Sequence, residues 1–122
     1  MSLKTSRGEL LAALDTAGIR VYYGMGTFQS PCVRIFPAEP WVEASGMAGG
    51  RRTQHWEVWC VAGKSDAIAN YDELEDLVQR VNGALVGLAG WSHPAWRRPA
   101  ITDMGGTKYL ACRGVTETLA EV

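Results

Sequence analysis

Apolar and polar positions along this chain alternate with periods that change from segment to segment. Leu10, Leu11 and Leu14 make a narrow stripe. Ser6, with Glu9 three residues later, reads as a capping box, and Gly18 stands where a helix usually stops. A short amphipathic helix is therefore predicted first. Ile19 to Tyr23 is β-branched and aromatic, a short strand broken by Gly24-Met25-Gly26. Pro31 to Phe36 reads as a second strand, with Val33 and Ile35 on one face and Cys32, Arg34 and Phe36 on the other.

From Pro37 to Gly50 the pattern dissolves into Pro37, Pro40, Gly46, Gly49 and Gly50, which predicts a long loop. Loops beyond about 12–15 residues are uncommon in compact domains and are usually functional. Trp41-Val42 lies within it. Two readings stay open: Trp41 folds back onto its own domain, or it anchors a neighbouring subunit.

Thr53 to Ala62 carries the clearest alternation. Gln54, Trp56, Val58, Cys60 and Ala62 face one way, toward the core; His55, Glu57, Trp59 and Val61 face the other. Trp59 on the more polar side implies that this side too is partly covered. Gly63 to Asp66 is a turn, with Ser65 or Asp66 placed to cap the next helix. Ile68, Tyr71, Leu74, Leu77, Val78, Val81 and Leu85 recur at three- and four-residue steps and predict one long helix. Its first half carries Asp72, Glu73, Glu75 and Asp76, an acidic exposed face. After a turn-rich Trp91 to Arg98, Pro99–Met104 and Thr107–Leu119 read as the arms of a hairpin turned at Gly105-Gly106, the first arm interrupted by Asp103. The fold class is α+β: an antiparallel sheet of about four to five strands, with a short N-terminal helix and one long helix packed on it.

Composition narrows the classes. The chain has 122 residues, the size of one domain, with 47% hydrophobic and 20% charged residues. A net charge of −1 argues against a general nucleic-acid binder. No apolar run approaches the roughly 20 residues of a membrane span, and Met1-Ser2-Leu3-Lys4 lacks a signal-peptide core. Cys32, Cys60 and Cys112 are widely spaced in apolar runs, so buried free thiols in a reducing cytoplasm are expected.

Candidate chemistry is thin. His55 and Cys60 are five apart on one strand and project to opposite faces, so a Cys–His dyad needs Cys32 or Cys112 brought over by the fold. His93 is a lone histidine in a turn. Asp72, Glu73, Glu75 and Asp76 read as a solvated helix face and not as a metal site. The glycine-rich stretches lack a phosphate-loop pattern. Arg51-Arg52 and Arg97-Arg98 are basic doublets, read either as solvated or ion-paired surface or as arginines facing DNA or an acidic neighbour. No catalytic residue, metal or cofactor is expected.

The run Pro31-Cys32-Val33-Arg34-Ile35-Phe36-Pro37, the Pro40-Trp41-Val42 loop and the strand Trp56-Glu57-Val58-Trp59-Cys60-Val61 together resemble the tail-terminator and minor tail (neck) proteins of long-tailed actinobacterial phages. The Asp66–Leu88 helix and the late Gly105-Gly106-Thr107-Lys108-Tyr109-Leu110-Ala111 strand continue the likeness over most of the chain, by pattern and order, with no diagnostic signature. The resemblance implies a structural virion protein assembled in the host cytoplasm. It implies a homo-oligomeric ring, a hexamer, that caps the head-proximal end of the tail tube, stops its polymerisation and joins it to a head-completion or connector protein. DNA passes only through the lumen. A ring needs two unlike patches per subunit. Trp41, Val42, Arg51 and Arg52 are candidates for one, and Asp72, Glu73, Glu75 and Asp76 for the other. Arg97 and Arg98 are candidates for the lumen or a partner surface. A head-closure or adaptor ring is the nearest alternative. A small cytoplasmic enzyme or ligand-binding domain with a pocket near Trp59, His55 and Tyr109 is the alternative from another class.

Overall fold

The computed structural model describes residues 3–44 and 51–121. Helix α1 (Leu3–Thr16) is held by its stripe: Leu10 and Leu14 are fully buried and Leu11 packs beside them. The helix starts ahead of the predicted cap, so Ser6 is a buried residue of its first turns and does not open it. It ends as expected. Gly18 adopts φ +77°, a conformation costly for residues with a Cβ, and its N–H reaches the carbonyl of Asp15 at 2.9 Å.

Six strands follow the order β1-β2-β3-β6-β4, with β5 also on β6. They are β1 (Val21–Tyr23), β2 (Cys32–Ala44), β3 (Arg51–Val61), β4 (Ala95–Trp96), β5 (Ala100–Met104) and β6 (Thr107–Glu121). Between β3 and β4 lies α2 (Ile68–Val86). The expected sheet needs two corrections: it has six strands among the described residues, and it is mixed; the expected short and long helices are present, with 14 and 19 residues. β1 runs parallel to β2, Val21 beside Val33 and Tyr23 beside Ile35. Three residues need only a short ladder, so the chain returns through residues 24–31 and enters β2 in the same direction. That return segment is tied down by Arg20 Nη1 donating to the Gln29 carbonyl at 3.2 Å and by the Gln29 N–H donating to Tyr22 Oη at 3.3 Å.

The predicted loop is also corrected. β2 runs on to Ala44, and only 45–50 fall outside the described residues. Pro37 lies opposite Trp56 and Val42 opposite Gln54, so residues 38–41 bulge against His55 alone. Pro40 has no N–H to give a ladder, which is why the pattern reads as loop although the strand resumes.

The alternation on β3 holds. Gln54, Trp56, Val58, Cys60 and Ala62 are buried toward α1 and α2, with Leu74, Leu77, Val81 and Leu85 of α2 packed over them. Ile68, counted in the stripe, is 79% exposed because it stands at the very start of the helix. The predicted side-chain cap is absent: Ala67 is the N-cap residue, and Asn70 Nδ2 draws Ser65 back by donating to its carbonyl and hydroxyl at 2.9 and 3.0 Å. Arg80 Nη2 donates to the carbonyls of Ala17 and Gly18 at 3.3 and 2.8 Å, so α2 closes the C-terminal end of α1. Trp91 Nε1 donates to Glu9 at 2.8 Å, and Trp96 Nε1 to Asn82 at 3.0 Å.

The last hairpin turns at Gly105 and Gly106, both at positive φ, as two-residue turns of this kind require. Asp103 does not break the first arm. Its carboxylate accepts the Gly106 N–H at 2.9 Å and fixes the turn. β3 pairs along its full length with the C-terminal part of β6, Arg51 opposite Glu121 through Val61 opposite Ala111, while β5 and β4 share the other edge of β6 in tandem.

The three cysteines are free and buried, Cys60 opposite Cys112 in register and Cys32 on the other face. The Cys60 thiol hydrogen-bonds to Cys112, which raises the one and lowers the other. Burial pushes Cys32 from 9.0 up to about 11, against the pull of Arg34 and Arg20. A thiol that ionises at about 11 when folded and at 9.0 when unfolded stabilises the fold fully below pH 9, and that stability is lost as pH rises through 11. At about 1.4 kcal/mol per pH unit the loss is about 2–3 kcal/mol. Urea unfolding at pH 8, 9, 10 and 11 is expected to show this extra decline in the native chain and not in Cys32→Ala. Parallel declines in the two would show that Cys32 does not titrate between those limits.

Candidate functional site

Both helices cover one face of the sheet, and no helix lies among the residues packed on the other. There the cover is the return segment 24–30 and the β5–β6 hairpin. On β2, odd and even positions alternate, so Arg34 and Phe36 point outward while Val33 and Ile35 enter the core. The return segment lays Phe28 over Arg34. The guanidinium carbon sits 4.3 Å from the Phe28 ring centre and 5.0 Å from that of Phe36, between two aromatic rings. Arg34 Nη2 donates to the Gly24 carbonyl at 3.1 Å. The residue is only 4% exposed, and its buried Nε has no hydrogen-bond partner.

Next to Arg34 on β3 is Trp59, and next to Trp59 on β6 is Arg113. Trp59 Nε1 donates to Glu57 Oε1 at 3.0 Å, and Arg113 Nη1 donates to Glu57 Oε2 at 3.1 Å. Arg113 is thus neutralised by Glu57 and stacks 6.0 Å above Trp59. Tyr109 closes the far side, 5.2 Å from Phe28 ring to ring. Between these walls lies an open cavity of about 700 Å³.

Trp59 and Tyr109, named from sequence as walls of a pocket, do line this cavity; His55 does not. Its Nε2 is 2.8 Å from Glu43 and its Nδ1 3.2 Å from Glu117, so it joins β2, β3 and β6 through carboxylates and has no thiol beside either nitrogen. His93 is exposed. Trp41 turns its edge onto Trp56 at 6.2 Å yet stays 41% exposed. It contacts its own domain and still presents surface. Val42 is half-buried beside Gln54. The Arg51 side chain lies outside the described residues, and Arg52 is half-buried and already engaged. Asp72, Glu75 and Asp76 are exposed on α2 and Glu73 is half-buried; Asp76 reaches Arg80 only at 3.9 Å. Arg97 and Arg98 are exposed between β4 and β5.

Arg34 and Phe28 were not singled out from sequence. The available signal was one arginine inside the apolar run Cys32–Phe36. Its stacking partner depends on how residues 24–31 fold back, which no local pattern encodes. No described helix is long and apolar enough to cross a membrane. No family model and no curated protein matches the chain.

Proposed function

We propose that the protein is a structural subunit of a phage tail, a terminator that assembles as a homo-oligomeric ring on the head-proximal end of the tail tube and meets the head connector on its other side. The observation that carries this reading is the uncovered sheet face on the β2–β3–β6 arm. Val115 and Leu119 point outward there, 38% and 48% exposed, beside the half-exposed carboxylates of Glu43 and Glu117. Exposed apolar side chains on a long, fully paired sheet suit a contact with another subunit. The opposite surface is of different chemistry: α2 with exposed Asp72, Glu75 and Asp76, flanked by exposed Ile68 and Val86. Two unlike surfaces on opposite sides of one subunit are what a head-to-tail ring requires. Arg97 and Arg98, both exposed, supply positive charge for a DNA-facing or partner-facing surface.

Electron microscopy of tail-tube subunits polymerised with and without the protein tests the proposal. The expected result is a ring at one end and shortened tubes. Leu119→Glu, placed on an exposed position, is expected to keep the native melting transition and lose capping at least tenfold. Tubes that grow uncapped and at unaltered length with the native chain would refute the terminator role and favour a head-side adaptor.

A further inference from the structure

The cavity on the outer sheet face holds a charge without a counterion. Buried guanidinium groups are ordinarily paired, because removing such a group from water is costly unless an opposite charge and hydrogen bonds compensate. His55 lies against Glu43 and Glu117, Arg80 against Asp76, and Arg113 against Glu57. Arg34 is in none of these pairs. Two aromatic rings and one carbonyl are its compensation, and Nε is left unpartnered.

From this we propose that the cavity is a binding site for a single carboxylate carried on an apolar or aromatic body, with Arg34 as its counterion. Three features select that chemistry. Arg34 lines the cavity with only one of its guanidinium nitrogens bound to a carbonyl, and arginine is the side chain that best donates charge-assisted hydrogen bonds to a carboxylate. The walls are Met25, Phe28, Trp59, Met104 and Tyr109, which suit a hydrophobic body. The remaining charged wall residues are Glu57, already bound to Arg113, and Asp103, so the wall offers one positive charge, and a dianion such as a phosphate monoester would keep an unmatched negative charge in the same cavity as Asp103. The same chemistry is offered by a free arylalkanoic acid and by the C-terminal carboxylate of a polypeptide ending in an apolar residue. The site is independent of ring formation: failure to cap tubes would leave it standing.

The test is a titration of the native full chain with 3-phenylpropionate and with its amide. In parallel it is titrated with the tetrapeptide Gly-Gly-Gly-Phe, as free acid and as C-terminal amide. The readout is the Trp59 indole N–H resonance, assigned by its loss in Trp59→Phe. Saturable shifts with an acid, and at least tenfold weaker binding of the matching amide, are expected. Saturation by the small acid alone identifies a free metabolite-like ligand; saturation by the peptide acid identifies a polypeptide terminus. Arg34→Lys, which retains the charge and loses the planar stack, is expected to weaken binding at least tenfold. Acid and amide binding alike, or no shift with any of the four at ~10 mM, overturns the proposal, and because that comparison uses the native chain it stands even if Arg34 variants fail to fold.

Discussion

Trp56→Ala is expected to lower the free energy of unfolding by about 3–5 kcal/mol, the largest loss from any single truncation outside the helices. Trp56 is fully buried at the middle of β3, opposite Pro37 on one side and Thr116 on the other. Tyr23 from the edge strand stands 5.7 Å away, edge to face, and Trp41 from the bulge 6.2 Å away. The ring therefore joins β1 and the β2 bulge to the sheet centre, and Arg7 of α1 adds to the stack by lying 4.7 Å over Tyr23. Truncation removes its apolar area from the core and also leaves a void that three separate segments border. The indole N–H has no partner, so Trp56→Phe, which deletes that donor and keeps a ring, is expected to cost far less than alanine. Urea unfolding of both variants checks this. An alanine loss below about 2 kcal/mol would show that the surrounding segments close over the gap and that the aromatic contacts do not define this end of the sheet.

Gly114→Ala is expected to destabilise by about 2–3 kcal/mol through overpacking. A Cβ at this position would lie 2.9 Å from Pro94 Cβ and 2.9 and 3.0 Å from Cε3 and Cδ2 of Trp96. The backbone there tolerates alanine, because Gly114 is not among the glycines at positive φ. The conflict is steric alone. Trp96 cannot swing aside freely: it is paired with Gly114 in the ladder and its indole donates to Asn82 on α2. The absent side chain on β6 is thus what lets β4 lie against the sheet and hold the helix. Proton NMR gives a second readout, since the Trp96 indole N–H is expected to move as its bond to Asn82 lengthens. An unchanged melting temperature together with an unmoved Trp96 signal would show that Pro94 and Trp96 give way at little cost.

What could be read from the sequence was what is periodic and local. Leu74, Leu77, Val81 and Leu85 announce α2 because one helix face must be apolar. Gln54 to Ala62 announce β3 because one sheet face must be, and Gly105-Gly106 announces its turn because only glycine accepts two successive positive φ angles at no cost. What could not be read was decided at a distance. β2 continues past Pro37 because β3 is there to pair with Val42 to Ala44. β4 is two residues long and exists only through β6. The Arg34 cavity combines β2, β3, the return segment and the last hairpin, and the sequence offered only the anomaly of a charge in an apolar run.

The pairing of β6 has a consequence for how the chain is made. On the ribosome, α1, β1, β2, β3 and α2 emerge first, and β3 leaves the exit tunnel with one long edge unpaired. The strand that completes it, and that among the described residues also supplies the only partner of β4 and β5, is synthesised last of the six. Until β6 pairs with it, that edge of β3 has no neighbour among the described strands. An open strand edge is a template for edge-to-edge association, so the interval before β6 pairs is the one in which β3 is most exposed to it.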